Sequence, residues 1–428
     1  MRIAGSAAPG SPGHWDICTM GNSRDCDVAV VGGGIVGLAV AYRIVTRHPA
    51  LRVCVLEKED SLASHQTGHN SGVIHSGLYY RPGSAKAMMC TQGRRELIEF
   101  ARDHGVPFRI CGKIVVATEQ RELPHMRRIL DYARANGVEG IEEIGPERIR
   151  DIEPACRGVR GLYLPGTGII DFMQVAATFA ELIRRTGQDN QILMGHEVVG
   201  FQRDGSRSIV MTRRGEIGAR LVINCAGLNC DRVARLDGVH PGVRIIPFRG
   251  DYYDLTPQAA EKVRALIYPV PDPRFPFLGI HYTRKIGGTV DCGPNAVFAF
   301  KREGYTKTAF SLRDTAASLA YTGTWVLFAR NARYGLHEYA RAISKRLFLR
   351  TLRRFIPTIE PQDIRPGKIG VRAQAVGPWG QTLDDFKIET SEHAIHILNA
   401  PSPAATACLA IGDHIRALAA QHLGLSSG

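Results

Sequence analysis

Residues 27–59 read DVAVVGGGIVGLAVAYRIVTRHPALRVCVLEKE. Asp27 to Val31 is a short apolar run of strand character, Ile35 to Arg47 is built from good helix formers, and Arg52 to Glu57 is a second β-branched run. The pattern predicts a strand, a helix and a second strand in one βαβ unit. Gly32, Gly34 and Gly37 stand in the turn between the first strand and the helix, and Glu57 follows the last glycine by 20 residues. Each position has a physical task. Gly32 permits the tight turn, Gly34 lets the backbone approach a pyrophosphate, and Gly37 lets the helix pack close on the strand; the phosphates then meet the positive end of the helix while the Glu57 carboxylate accepts from a ribose. Glycine triplets are common in turns, but the flanking strand and helix and the spaced acid decide for a dinucleotide.

Outward from this unit, residues 63–80, ASHQTGHNSGVIHSGLYY, lack any periodicity that would continue a fold, being rich in His, Ser, Gly, Asn and Thr. Helices are predicted at Ser84 to His104, Glu122 to Asn136 and Phe172 to Thr186, and a strand at Gly112 to Thr118. The β-like runs HEVVGFQ, SIVMTRR and ARLVINCAG then lead the chain back to the nucleotide sheet. From Gly242 to Val297 the pattern changes to strands and turns rich in Pro, Gly and aromatics, as in an antiparallel sheet. Near the end, AIHILNAPSPAATACLAIGDHIRALAA predicts a strand, a turn and a helix with Ser402 as N-cap and Pro403 at the first helical position.

The 428 residues, 44% hydrophobic and 22% charged, suffice for two domains. None of the 10 cysteines stands in a C-x-x-C pair or a metal-ligand spacing, and Cys26, Cys54, Cys225 and Cys408 lie in runs that read as interior. A reducing cytoplasm and no metal are expected. No run of 18 apolar residues is present. Residues 1–24, rich in Gly, Ser, Ala and Pro, are expected to be a disordered tail or an upstream start, Met20 standing just before the first strand. The net charge of +13 is concentrated, since Lys301 to Phe355 carries twelve Lys/Arg against Glu303, Asp314 and Glu338. Within it, Tyr339, Ile343 and Leu347 form one row at i, i+4 spacing and Arg346, Arg350 and Arg354 another. Such a helix suits an anionic membrane surface or nucleic acid, although a core-facing helix with a solvated basic face is the plainer reading.

The stretches GGGIVG (32–37) with Glu57, GHNSGVIHSGLYY (68–80), PFRGDYYDL (247–255), FPFLGIHYTR (275–284), GPNAVFAFKREGY (293–305), VRAQAV (371–376) with LDDF (383–386), and NAPSPAATACLAIG (399–412) carry a resemblance over nearly the whole chain from Asp27. Together they resemble the L-2-hydroxyglutarate oxidase/dehydrogenase family of FAD enzymes, within the D-amino-acid oxidase and glycerol-3-phosphate dehydrogenase superfamily. The resemblance implies a mixed α/β (α+β) fold like that of D-amino-acid oxidase: a Rossmann-type FAD-binding domain made of 25–85, 169–240 and 366–428, and an antiparallel-sheet substrate domain made of 86–168 and 241–365. It also implies that Gly68, Asn70, Ser71 and Gly72 pass along the flavin, that Val198 contacts the cofactor, and that the N–H groups around Ala404, Ala405 and Thr406 face its pyrimidine edge. No Cys or His stands where it argues for a flavin linkage, so noncovalent FAD is expected.

Oxidation of a 2-hydroxy acid needs a base for the hydroxyl proton and fixed cations for the carboxylates. His75 and His281 are the candidate bases, with nothing in the sequence to choose between them. Arg372, Arg249 and Arg284 are candidate carboxylate partners, Arg372 foremost because it lies shortly before the C-terminal strand and the helix that the resemblance turns toward the flavin, and Tyr252 and Tyr282 are candidate hydroxyl donors. The expected partners are a 2-hydroxy dicarboxylate and a quinone, an electron-transfer chain or oxygen, with a peripheral position on the inner face of a membrane and no nucleic acid. Glycerol 3-phosphate or an amino acid is the alternative substrate of the same fold, and a nucleic-acid-associated flavoprotein the more distant one.

Overall fold

The first βαβ unit forms as its sequence predicts, with strand Cys26–Val31, helix Ile35–Arg47 and strand Val53–Leu56. In the computed structural model, which describes residues 25–187, 189–272 and 278–425, Val28, Ala29 and Val30 are wholly buried on both faces of the sheet. That is why the run is continuously apolar rather than alternating. Cys26–Val31 pairs in parallel with Gly215–Asn224 on one side and Val53–Leu56 on the other; Gln191–Leu193 extends the sheet beyond Val53–Leu56, and Ala394–Asn399 extends it beyond Gly215–Asn224. The first half of Gly215–Asn224 closes an antiparallel meander with Val198–Asp204 and Arg207–Thr212. Helices Ile35–Arg47, Phe172–Arg185 and Cys408–His422 cover this sheet with one apolar core. Expectations for residues 1–24 lie outside the described residues.

The second sheet is laid out in the order Val297–Phe298, Arg244–Leu255, Val290–Gly293, His281–Arg284, Leu266–Pro269, Lys113–Ala117, Arg160–Leu164 and Glu142–Ile144, with Ile364–Val376 paired along the length of Arg244–Leu255. All its pairings are antiparallel except that of Leu266–Pro269 with Lys113–Ala117. A small sheet of Val73–Ile74, Gly168–Ile170 and Phe108–Ile110 sets Val73 opposite Ile169 and so anchors the loop of residues 63–72, the cofactor loop of the family resemblance, on Gly168–Ile170. Two segments lie in layers other than those expected. Helix Ala85–Asp103 places Leu97, Phe100 and Ala101 in the core of the first sheet, and most of Ile364–Val376 is hydrogen-bonded into the second.

Two predicted helices differ in detail. The terminal helix begins at Cys408, not Pro403, because 402–407 is a turn closed by its own bonds, Ala404 N–H to Pro401 O and Ala407 N–H to Pro403 O. The basic stretch is two helices, Ala332–Ile343 and Lys345–Leu352, broken where Ser344 turns extended and caps the second through Leu347 N–H. The break splits the row of Tyr339, Ile343 and Leu347. Ile343 is 84% exposed, and Phe348, Leu349 and Leu352 face the core instead.

Candidate active site

The glycine turn is built as its spacing requires. Gly32 has φ +113°, and a Cβ on Gly37 would stand 2.0 Å from Gly32 O, so neither position accepts a side chain. Glu57 is buried and doubly engaged, one oxygen accepting from Gly33 N–H at 2.7 Å and the other from Glu59 N–H at 2.9 Å. Thr67, which sequence reasoning passed over, accepts from Ile35 N–H at 2.9 Å and ties the cofactor loop to the helix start. That leaves the Gly34 and Val36 N–H groups with no acceptor among the described residues. Val198 is nearly buried in the apolar cluster of Val31, Leu56 and Ile217 beneath the strand ends.

The loop after Glu57 is held from the other sheet. Asn70 folds it into a turn, its side chain donating to Thr67 O and accepting from Gly72 N–H, while Gly72 has φ +70°. Lys285 donates to Ser71 O at 2.7 Å, Lys368 donates to Asn70 O, and both lysines pair with Asp291. Burial lowers the Lys285 ammonium to about 8. A Cβ on Gly68 would meet Ala63 O at 2.8 Å. The closing turn meets the same loop, since the Thr406 hydroxyl accepts from His75 N–H at 3.0 Å and donates to Val73 O at 3.2 Å. The N–H groups of Ala405 and Thr406 have no acceptor among the described residues.

His75 and His281 lie within electrostatic reach of each other. Burial pushes both imidazoles down to about 3, and Lys113 adds to the effect on each; His281 and Lys86 add to it at His75, and Arg372 and Lys285 at His281. Neutral His281 bonds Gly279 O through Nδ1 at 2.8 Å, which places the proton on Nδ1 and the lone pair on Nε2. Nε2 of His75 lies 3.5 Å from Ser402 Oγ. Tyr268 stacks on His281 with ring centres 4.0 Å apart, and Lys113 Nζ sits over the Tyr268 ring, 4.0 Å from its centre, and 4.4 Å from that of Tyr79. Arg372 Nη1 donates to Asn295 O at 3.2 Å, near buried Tyr252.

Strand alternation separates the other candidates from this group. Arg249 stands opposite Val371 in the ladder, whereas Arg372 stands opposite Phe248, so the two arginines emerge on opposite faces. Arg249 is committed to Asp251 through both carboxylate oxygens and to Lys307 O, and is set aside as a substrate ligand. Tyr282 points away from His281 into the second core, donating to Leu352 O, and Arg284 donates to Val263 O. Lys113 and Tyr268 were missed. One lysine inside the otherwise apolar strand GKIVVAT was the available signal.

Residues 27–418 match the family described as FAD dependent oxidoreductase. The chain is 45% identical over 392 residues, 91% of its length and 98% of the relative's, to L-2-hydroxyglutarate dehydrogenase of Indibacter alkaliphilus. It is 42% identical to the mitochondrial enzyme of the same name from Homo sapiens, covering 97% and 95% of the two chains. The chain belongs to the L-2-hydroxyglutarate dehydrogenase family of FAD dependent oxidoreductases. Among solved structures it superposes on L-alpha-glycerophosphate oxidase of Mycoplasma pneumoniae with FAD bound, at TM-score 0.76 and 21% identity over 94% of this chain and 95% of that one. Glycine oxidase of Geobacillus kaustophilus has TM-score 0.70 at 17% identity, covering 94% and 96%. At such identities these two show the fold alone.

FAD is the cofactor of this family, and the residues present fit it. The open N–H groups of Gly34 and Val36 would hold the pyrophosphate at the positive end of helix Ile35–Arg47, with Glu57 fixing the turn. The free N–H groups of Ala405 and Thr406 would border the flavin, while at Gly68 and Gly72 the space of a side chain is taken by Ala63 O and Ile170 O.

Proposed function

We propose that the protein oxidises L-2-hydroxyglutarate to 2-oxoglutarate. The observation that carries this reading is a pair of imidazoles kept neutral by burial, set beside the cofactor loop and flanked by Lys113 and Arg372, in a chain 41–45% identical to enzymes of that name. Bound FAD supplies the acceptor for the hydride of the α-carbon. One imidazole takes the hydroxyl proton as the C=O bond forms, and the other orients the hydroxyl. Arg372 offers a planar fork to the carboxylate next to the reacting carbon, and Tyr252 a hydroxyl beside it. Anaerobic addition of L-2-hydroxyglutarate is expected to bleach the yellow holoprotein, while the D-enantiomer, glycerol 3-phosphate and D-alanine leave it yellow. Bleaching by one of the others in place of the L-hydroxy acid would reassign the substrate. Of His75→Asn and His281→Gln, the variant that binds substrate yet no longer bleaches has lost the base.

Electrons are proposed to leave at a membrane surface, toward a quinone. Support comes from the basic segment, where Trp325, Leu336 (71% exposed) and Ile343 stand in solvent among Arg330, Arg333, Arg346 and Arg350. A cavity of about 340 Å³ lined by Phe248, Phe328, Tyr334 and Tyr339 reaches this surface at Leu336. Among the described residues no helix is long and apolar enough to cross a membrane.

A further inference from the structure

Lys113 is 2% exposed and lies on strand Lys113–Ala117, whose other residues, Ile114, Val115, Val116 and Ala117, are wholly buried. Among the described residues no carboxylate lies within ion-pair distance of its ammonium and no group accepts a hydrogen bond from it. Its neighbours are the ring faces of Tyr79 and Tyr268. Every other lysine named in the site has an anion or a carbonyl: Lys86 has Asp384, and Lys285 and Lys368 share Asp291 and the loop carbonyls. A buried ammonium with ring faces beside it and no anion among the described residues is costly, and an anion that arrives from outside would relieve that cost. The ammonium is also placed for one, because Tyr268 carries Lys113 on its face and His281 stacked against it, and His281 feels both Lys113 and Arg372. Both cations thus lie within electrostatic reach of His281, one of the two candidate bases.

We infer that Lys113 binds the second carboxylate of the substrate, the one that a simple 2-hydroxy acid lacks, and so selects dicarboxylic over monocarboxylic hydroxy acids. This rests on the dicarboxylate reading above. It assigns the α-carboxylate to Arg372, whose fork suits bidentate contact, and the remote one to the single-point charge of Lys113. Burial lowers the Lys113 ammonium to about 7 in the ligand-free protein, and an arriving carboxylate restores its charge.

The test is binding without turnover. Glutarate and butyrate are titrated into oxidised holoprotein and followed by the change they cause in the flavin spectrum. Wild type is expected to prefer glutarate by about 10- to 100-fold, the range of a charge-assisted bond made in a buried site. Lys113→Met should abolish that preference, leave butyrate within about 3-fold of wild type, and lose discrimination between L-2-hydroxyglutarate and L-2-hydroxybutyrate in kcat/KM. A preference for glutarate that survives in Lys113→Met overturns the assignment. If that variant does not retain FAD, Lys113→Gln, neutral but still a donor, is read by the same ratio. If wild type is not bleached by L-2-hydroxyglutarate yet prefers glutarate and loses that preference with Lys113, the substrate reading falls and the carboxylate site stands.

Discussion

His281 and His75 show what a residue's type leaves open and its surroundings close. Either histidine was a sound candidate in the sequence, and an isolated histidine in a strand is usually structural. What distinguishes them is burial against cations, which no local pattern reports. The consequence extends to stability. A histidine held at about 3 in the folded protein but near 6.5 when unfolded takes up a proton only on unfolding, so stability is lost as pH falls from about 6.5 toward 3. In His281→Gln that contribution is absent. Chemical unfolding of holoprotein at pH 7 and at pH 5 should therefore show the variant gaining roughly 1–2 kcal/mol on wild type at the lower pH. Parallel pH dependence of the two proteins would rule out a neutral, buried His281. Arg249 and Arg372 teach the complementary lesson. Both are arginines in sheet strands, and ladder register alone sends one to Asp251 and the other to the site.

At the scale of elements, the start of helix Phe172–Arg185 falls where the sequence pattern places it, and its cap shows why. Asp171, in GTGIID, caps helix Phe172–Arg185 by accepting from Met173 and Gln174 N–H at 2.9 and 3.2 Å. Asp171→Ala should cost about 1 kcal/mol of stability by denaturant titration, as for other N-cap losses, with FAD content unchanged because no atom of the cofactor cradle depends on that carboxylate. A loss of FAD would show that this helix, which packs on Ile35–Arg47, transmits strain to the glycine turn. Where the chain's own side chains and carbonyls compete for the backbone, prediction missed. Ser344 interrupts an unbroken amphipathic pattern, and Thr406 draws 402–407 onto Val73 and His75 instead of into a helix.

For the molecule as a whole, the two sheets meet along the cofactor loop, and the lysines that pin it come from strands more than 200 residues away. The helices beyond the second sheet expose apolar side chains among arginines, which makes the membrane proposal measurable. The protein should co-sediment with phosphatidylglycerol vesicles but not with pure phosphatidylcholine, and about 0.5 M salt should release much of it, since each basic residue near an anionic surface contributes roughly 1 kcal/mol that salt screens. Leu336→Glu with Ile343→Glu should weaken binding while leaving flavin reduction by substrate intact. Equal sedimentation with both lipids, or none at low salt, would dismiss the charge-based docking.

The dinucleotide unit, its glycines and acid, the alternation of a parallel with an antiparallel sheet, and the small-residue loop of residues 68–80 were all determined by sequence alone. Each depends on interactions within a few turns or strands: periodicity, backbone freedom and capping. The site itself was decided only by the tertiary structure. Whether Arg249 or Arg372 faces the loop depends on strand register, whether His75 and His281 are neutral depends on burial, and Lys113, a lone lysine in an apolar strand, takes on meaning only when its position shows that no anion among the described residues accompanies it. Those are properties of distances between residues remote in the chain, and a linear pattern does not carry them.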